Sequence, residues 1–135
     1  MATSNNFSNY LELKVLDHIM GKASFTMPTA YVALSTADPT EDGSGIAEPA
    51  VASAYARVAT AAGDWNAASG GTITNANKIQ FATPTANWGL LAYWAIFDNS
   101  AGGNMLVYGA LTAEKQGGIG ADVNIPAGSL SQSLN

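Results

Sequence analysis

The segment LLAYWAIFDNSAGGNMLVYGAL, Leu90 to Leu111, constrains the fold more than any other stretch of the chain. Successive side chains of a strand point to opposite faces, and here Leu90, Trp94 and Ile96 alternate with Leu91, Tyr93 and Phe97. Both faces are therefore apolar, which places the strand at the centre of a sheet covered on two sides. DNSAGGN is turn sequence, and MLVYGAL returns as an antiparallel partner across a loop of about seven residues. A hairpin apolar on both faces needs two covers. A second sheet is expected on one face and an N-terminal helix on the other.

That helix is legible near the start of the chain. YLELKVLDHIM carries Leu11, Leu13, Val15, Leu16, Ile19 and Met20 on a broad apolar face and stops at Gly21. Asn9 with Glu12 three residues on resembles a capping box, so Glu12 reads first as part of an N-terminal cap. The helix is expected over about 9–20, packed by its apolar face.

After Gly21 short apolar runs alternate with Gly, Pro, Asn, Asp and Ser, the punctuation of a β domain. Eight strands are predicted: Ala30–Ser35, Tyr55–Thr60, Gly71–Thr74, Lys78–Phe81, Leu90–Phe97, Met105–Leu111, Val123–Ile125 and Leu130–Leu134. The expected fold is mainly β, an antiparallel, jelly-roll-like β-sandwich over about 30–134 with one N-terminal α-helix. No linker or repeat divides the chain, and residues 1–135 read as a single domain.

Charge excludes one class of partner. The net charge is −5, and the five basic residues are scattered with no adjacent pair, so a nucleic-acid backbone would be repelled. Only 11% of residues are charged, and small neutral side chains do most of the solvating, which suits close contact with neighbours. The absence of cysteine removes disulfides, thiolate metal sites and cysteine nucleophiles. The N-terminus does not read as a secretory signal, and the longest mainly apolar run, Trp88 to Phe97, is far short of the ~20 residues a membrane helix needs. No membrane partner is expected.

The densest cluster of carboxylates is LSTADPTEDGSGIAEP, which holds Asp38, Glu41, Asp42 and Glu48. Calcium takes several oxygens from carboxylates at alternating positions around a glycine turn, and Asp38, Glu41 and Asp42 with Gly43 and Gly45 suggest such a loop without its regular spacing. Asp38-Pro39 and Asp42-Gly43 also start turns, so a solvated or contact-making loop is the leading reading and a cation site the minor one. No bound cofactor is expected. His18, between Asp17 and Ile19, is the one histidine, and no marked serine, zinc-protease motif or phosphate loop accompanies it. Trp94 reads as core, whereas Trp65 and Trp88 are candidates for stacking against a ligand, with packing the plainer alternative.

The order FSNYLELKVLDHIMGKASFTMPTAYVALSTADPTEDGSGIAEP, then YARV, then the W-G-x-L-x-Y-W-A-I-F-D hairpin and a late P-A-G-x-L strand resembles a family of small tailed-bacteriophage virion proteins, commonly labelled tail-fibre proteins. The resemblance runs from Phe7 to Leu134. It implies a structural protein of the assembled particle without enzymatic activity, found on the virion and made in the host cytoplasm. Its partners would be other virion proteins, the major capsid protein or tail proteins, and it would form a homo-oligomer, with a trimer as the expected state.

Without a collagen-like or heptad segment to build a shaft, capsid decoration, or cement, is the first expectation and a tail-fibre or receptor-contact role the second. A calcium-assisted carbohydrate-binding module is the alternative from another class. The expected partner contacts are Asp38, Glu41, Asp42, Glu48, Trp65 and Asn99.

Overall fold

The computed structural model describes residues 2–4 and 6–134. Ten strands and one α-helix follow in the order β1 (Ala2–Ser4), β2 (Asn6–Phe7), α1 (Asn9–Ile19), β3 (Tyr31–Ser35), β4 (Val58–Ala59), β5 (Thr72–Thr74), β6 (Ile79–Gln80), β7 (Leu90–Phe97), β8 (Met105–Gln116), β9 (Asn124–Ile125) and β10 (Leu130–Ser133). All eight predicted strands are present. The short β1 and β2 are not among the predicted strands, since neither contains an apolar run bounded by turn residues.

The principal sheet has the order β2-β8-β7-β3-β4, and all of its pairings are antiparallel. Two smaller sheets, β1-β10-β5 and β6-β9, complete the sandwich, with β1 parallel to β10. As expected of a two-sided strand, β7 is central: Leu34 lies opposite Trp94 on one flank and Gly109 lies opposite it on the other. Between the sheets, Val32, Leu34, Leu91, Trp94, Ile96 and Val107 pack with Ile79, Phe81, Val123, Ile125 and Leu130 of the smaller sheets and their loops. Trp94 is fully buried, and its indole N–H has no hydrogen-bond partner.

The other face of the principal sheet differs from expectation. Ala33, Ala95, Phe97 and Met105 form a second cluster there, and it is Ile46 of the acidic loop, with Tyr108, that packs on it. The helix instead joins the main core through Leu11, with Tyr10 and Val15 partly buried. Its remaining apolar residues stay in solvent: Leu13, Leu16, Ile19 and Met20 are 60–74% exposed.

The cap also differs. Ser8, not Asn9, is the N-cap; its Oγ accepts from the Leu11 amide at 3.1 Å and donates to the Met105 carbonyl. With the cap moved back one residue, Glu12 falls beyond the position that closes a capping box and is exposed. Tertiary anchoring decided this, because the Ser8 amide also donates to the Leu106 carbonyl at 2.9 Å.

The β7–β8 ladder contains a large irregularity. Tyr93 pairs with Ala110 but Leu91 pairs with Lys115, so Leu111–Glu114 bow out opposite the single residue Ala92. β8 consequently extends beyond the predicted Leu111, and its exposed outer half forms a lip at the end of the sheet away from the hairpin turn.

Candidate functional site

The acidic loop is a built structure. At its mouth Ser35 Oγ accepts from the amides of Ala37 at 3.2 Å and Ala47 at 2.9 Å, and the Thr36 amide donates to the Ala47 carbonyl at 3.0 Å. Inside it, Asp38 Oδ1 accepts from the Thr40 amide at 3.0 Å. Asp42 Oδ1 accepts from the Ser44 amide at 3.0 Å, the Ser44 hydroxyl at 2.7 Å and the Thr40 hydroxyl at 2.8 Å. Those bonds, the Ser44 amide foremost and then the Ser44 and Thr40 hydroxyls, hold the Asp42 carboxyl down at about 2. The chain folds so tightly that a Cβ on Gly45 would stand 2.2 Å from the Asp38 carbonyl oxygen.

Three segments meet at Arg57. Its Nε and Nη2 donate to Glu48 Oε1 and Oε2 at 2.9 and 2.8 Å, a two-pronged pairing that suits the planar guanidinium. Its Nη1 donates to the carbonyls of Asn99 at 2.9 Å and Gly102 at 2.8 Å, and the guanidinium lies 3.7 Å over the Phe97 ring. The Arg57 side chain is 6% exposed and that of Glu48 20%. Glu48 Oε1 also accepts from the Tyr55 hydroxyl at 2.7 Å, while the Tyr55 oxygen accepts from the Leu34 amide at 3.0 Å. Burial first, and then the Glu48 carboxylate, pushes the Tyr55 phenol well above its ordinary range. The acidic loop, the segment entering β4 and the hairpin turn are thus tied at a single cation.

The hairpin turn has its own lock. Asp98 Oδ1 accepts from the Asn104 amide at 2.7 Å, and Gly103, at φ +73°, sits where a Cβ would lie 2.6 Å from both Asn99 and Asp98 side-chain atoms.

Of the expected contact residues, Asp38, Glu41 and Asp42 lie exposed on one loop, beside the helix N-terminus, where the Asn9 amide donates to the Glu41 carbonyl at 3.0 Å. Glu41, Asp38 and Glu12 all raise the Tyr108 phenol, after burial as the first cause, so their charges share one flank. Glu48 faces inward, and Arg57 connects it to the Asn99 carbonyl. Trp65 stands apart from these, half-buried against the core with its indole N–H donating to Thr60 Oγ1 at 3.0 Å.

Among the described residues no group of three or more His, Cys, Asp or Glu side chains converges as a metal-ligand set. His18 Nδ1 accepts from the Phe25 amide at 3.0 Å, fixing the turn after the helix. Trp88 is buried, donates to the Ser53 carbonyl at 2.9 Å and meets Tyr55 edge-on, so it is core. Sequence reading missed Arg57 as the organising residue. The available signal was its position as the one arginine, set inside the predicted strand YARVAT.

Two surface features remain. One is the ridge of Leu13, Leu16, Ile19 and Met20, extended by Met27 at 89% exposure. The other is a groove of about 370 Å³ at the far end of the sheet, floored by Leu34, Leu91 and Ile125 and walled by the bowed-out Leu111–Lys115 segment. Asp122 stands at its rim, where the side chains of Gln80 and Asn124 lower its carboxyl first, followed by Lys78 and Lys115. No helix among the described residues is long and apolar enough to cross a membrane.

Fold and surface together define a mainly β domain that ties its central charges to its own loops and leaves an apolar helix ridge in solvent. The family model of podophage GP4 fiber I protein gp80 matches residues 6–133, and the chain belongs to that family, one of phage fibre-type structural proteins of the virion. No curated protein matches the chain.

Proposed function

We propose that the protein is a non-catalytic component of a podophage tail fibre, held on the particle by protein–protein contact. The family's name supports the fibre position. The observation that carries the contact mechanism is the exposed helix ridge, because a folded domain rarely leaves so much adjoining apolar surface in water without a partner for it. Fully burying a large aliphatic side chain is worth ~1.5–3 kcal/mol, so the four helix residues, of which 60–74% is exposed and left to bury, could supply roughly 4–8 kcal/mol. Association itself costs about 4–15 kcal/mol. A single ridge contact is therefore weak, and repetition over many copies on one particle does the holding.

Asp38, Glu41 and Asp42, preformed on a rigid loop, are proposed as a second contact set facing another virion protein. A homo-oligomer, with a trimer as the working state, is part of this reading, and Trp65 and Asn99 lie at its periphery. Capsid decoration is the second reading, favoured by the scarcity of charge on a surface of small neutral residues. Locating the chain's density in a reconstruction of the whole virion separates the two. Density on the tail supports the fibre reading; density on the head, with particles lacking the protein breaking down at lower temperature, replaces it with decoration.

A further inference from the structure

We infer that the exposed helix ridge takes a basic amphipathic helix of another virion protein, one whose apolar stripe is bordered by lysine or arginine. This names the chemistry of the partner and rests on the reading of the ridge as a contact surface. Leu13 and Leu16 in α1 and Met20 at its C-cap stand at i, i+3 and i+7. That is the a, d, a spacing of a helix-pairing seam, too short to build a shaft but suited to the face of one partner helix. The stripe is turned away from Leu11 and Val15, which meet the core.

Residues that border such a seam, at e and g, set which helix can pair with it. Here Glu12 holds g and Asp17 holds e, and both are exposed. The acidic loop adds to them at the N-terminal end of the ridge, where the Asn9 amide meets the Glu41 carbonyl and the Asp38, Glu41 and Asp42 side chains stand in solvent. The chain's own cations leave most of this charge unmatched. Of the five basic residues, Arg57 is committed to Glu48, and Lys78 and Lys115 lie by Asp122. Lys14 is turned off the ridge, its Nζ 5.5 Å from the centroid of the Tyr10 ring. Lys22 follows beyond the seam, in the turn where its amide donates to the Asp17 carbonyl.

These charges decide between occupants. Two copies paired in parallel would set Glu12 against Asp17, and an antiparallel pair would set like residues against each other, so a second copy is disfavoured on the ridge. An anionic lipid surface is repelled in the same way. A helix with lysine or arginine at e and g meets Glu12 and Asp17 with opposite charge while its apolar stripe covers Leu13, Leu16 and Met20.

The test titrates the full chain into labelled heptad-repeat peptides with leucine at a and d, one carrying lysine and the other glutamate at e and g, and reads fluorescence anisotropy at low salt. The lysine peptide should bind roughly tenfold more tightly than the glutamate peptide, and added salt should narrow the gap. Leu16→Gln should weaken binding of the lysine peptide roughly tenfold, and Glu12→Lys combined with Asp17→Lys should reverse the preference. All three positions are exposed, and a thermal melt of each variant checks that it is folded. Lysine-peptide binding that Leu16→Gln leaves intact overturns the inference. So does association of the chain with itself, or with phosphatidylglycerol vesicles, that Leu16→Gln abolishes. If the two peptides bind equally and Leu16→Gln weakens both, the basic partner falls and the ridge stands as a contact surface. If neither peptide binds, the inference falls, and a normal amount of Leu16→Gln protein on virions brings down the ridge contact with it.

Discussion

Arg57 carries more of the local organisation than any other side chain, because it compensates a part-buried carboxylate, two turn carbonyls and an aromatic face together. Arg57→Met should destabilise the fold by about 3 kcal/mol in urea unfolding, since removing one partner leaves Glu48 desolvated without its counter-charge. Lysine should recover little, as a single ammonium cannot reproduce the fork. Hydrogen exchange should quicken in the 98–104 turn of the variant. Asp42 makes a prediction about pH. Its carboxyl is lowered from 3.8 to about 2, so its contribution is complete above about pH 4 and is lost as pH falls through about 2. Asp64 and Asp122 are shifted the same way. The melting temperature of Asp42→Asn should fall less steeply than that of the unaltered chain over that interval.

At the scale of elements, the helix is anchored at one end and otherwise open. Ser8→Ala should cost about 1 kcal/mol or slightly more, from loss of the cap, and Asn9→Ala much less. Leu11→Ala should cost about 2–4 kcal/mol, whereas Leu16→Glu should leave the monomer within about 0.5 kcal/mol of the original. Thermal melts at a concentration where the chain is monomeric check all four. Periodicity found the helix, because an apolar run between a polar start and a glycine needs no tertiary information. It could not tell which apolar positions face the body, since Leu11 and Leu16 are chemically the same and only the body's location separates them. The strands show the opposite balance. Short apolar runs between turn residues marked all eight strands predicted after Gly21, whereas β1 and β2 exist because their backbones lie beside β10 and β8.

For the whole molecule, the acidic loop acts as a cover for the second face of the principal sheet through Ile46, and this accounts for its order without an ion. Calcium or a chelator should therefore leave the melting temperature unchanged, because a ligand shifts stability only if it binds the folded form preferentially. A clear upward shift with calcium would restore the cation reading of Asp38, Glu41 and Asp42. The sequence by itself determined the fold class, the central hairpin, the helix and the acidic character of the long loop, all of which follow from local periodicity and turn chemistry. Only the tertiary structure decided that the loop rather than the helix covers the second face, that Ser8 caps, that Arg57 gathers three segments, and that a ridge and a groove stand at opposite ends. Those features depend on which distant residues are brought within a few ångströms, and a one-dimensional pattern carries no such distances.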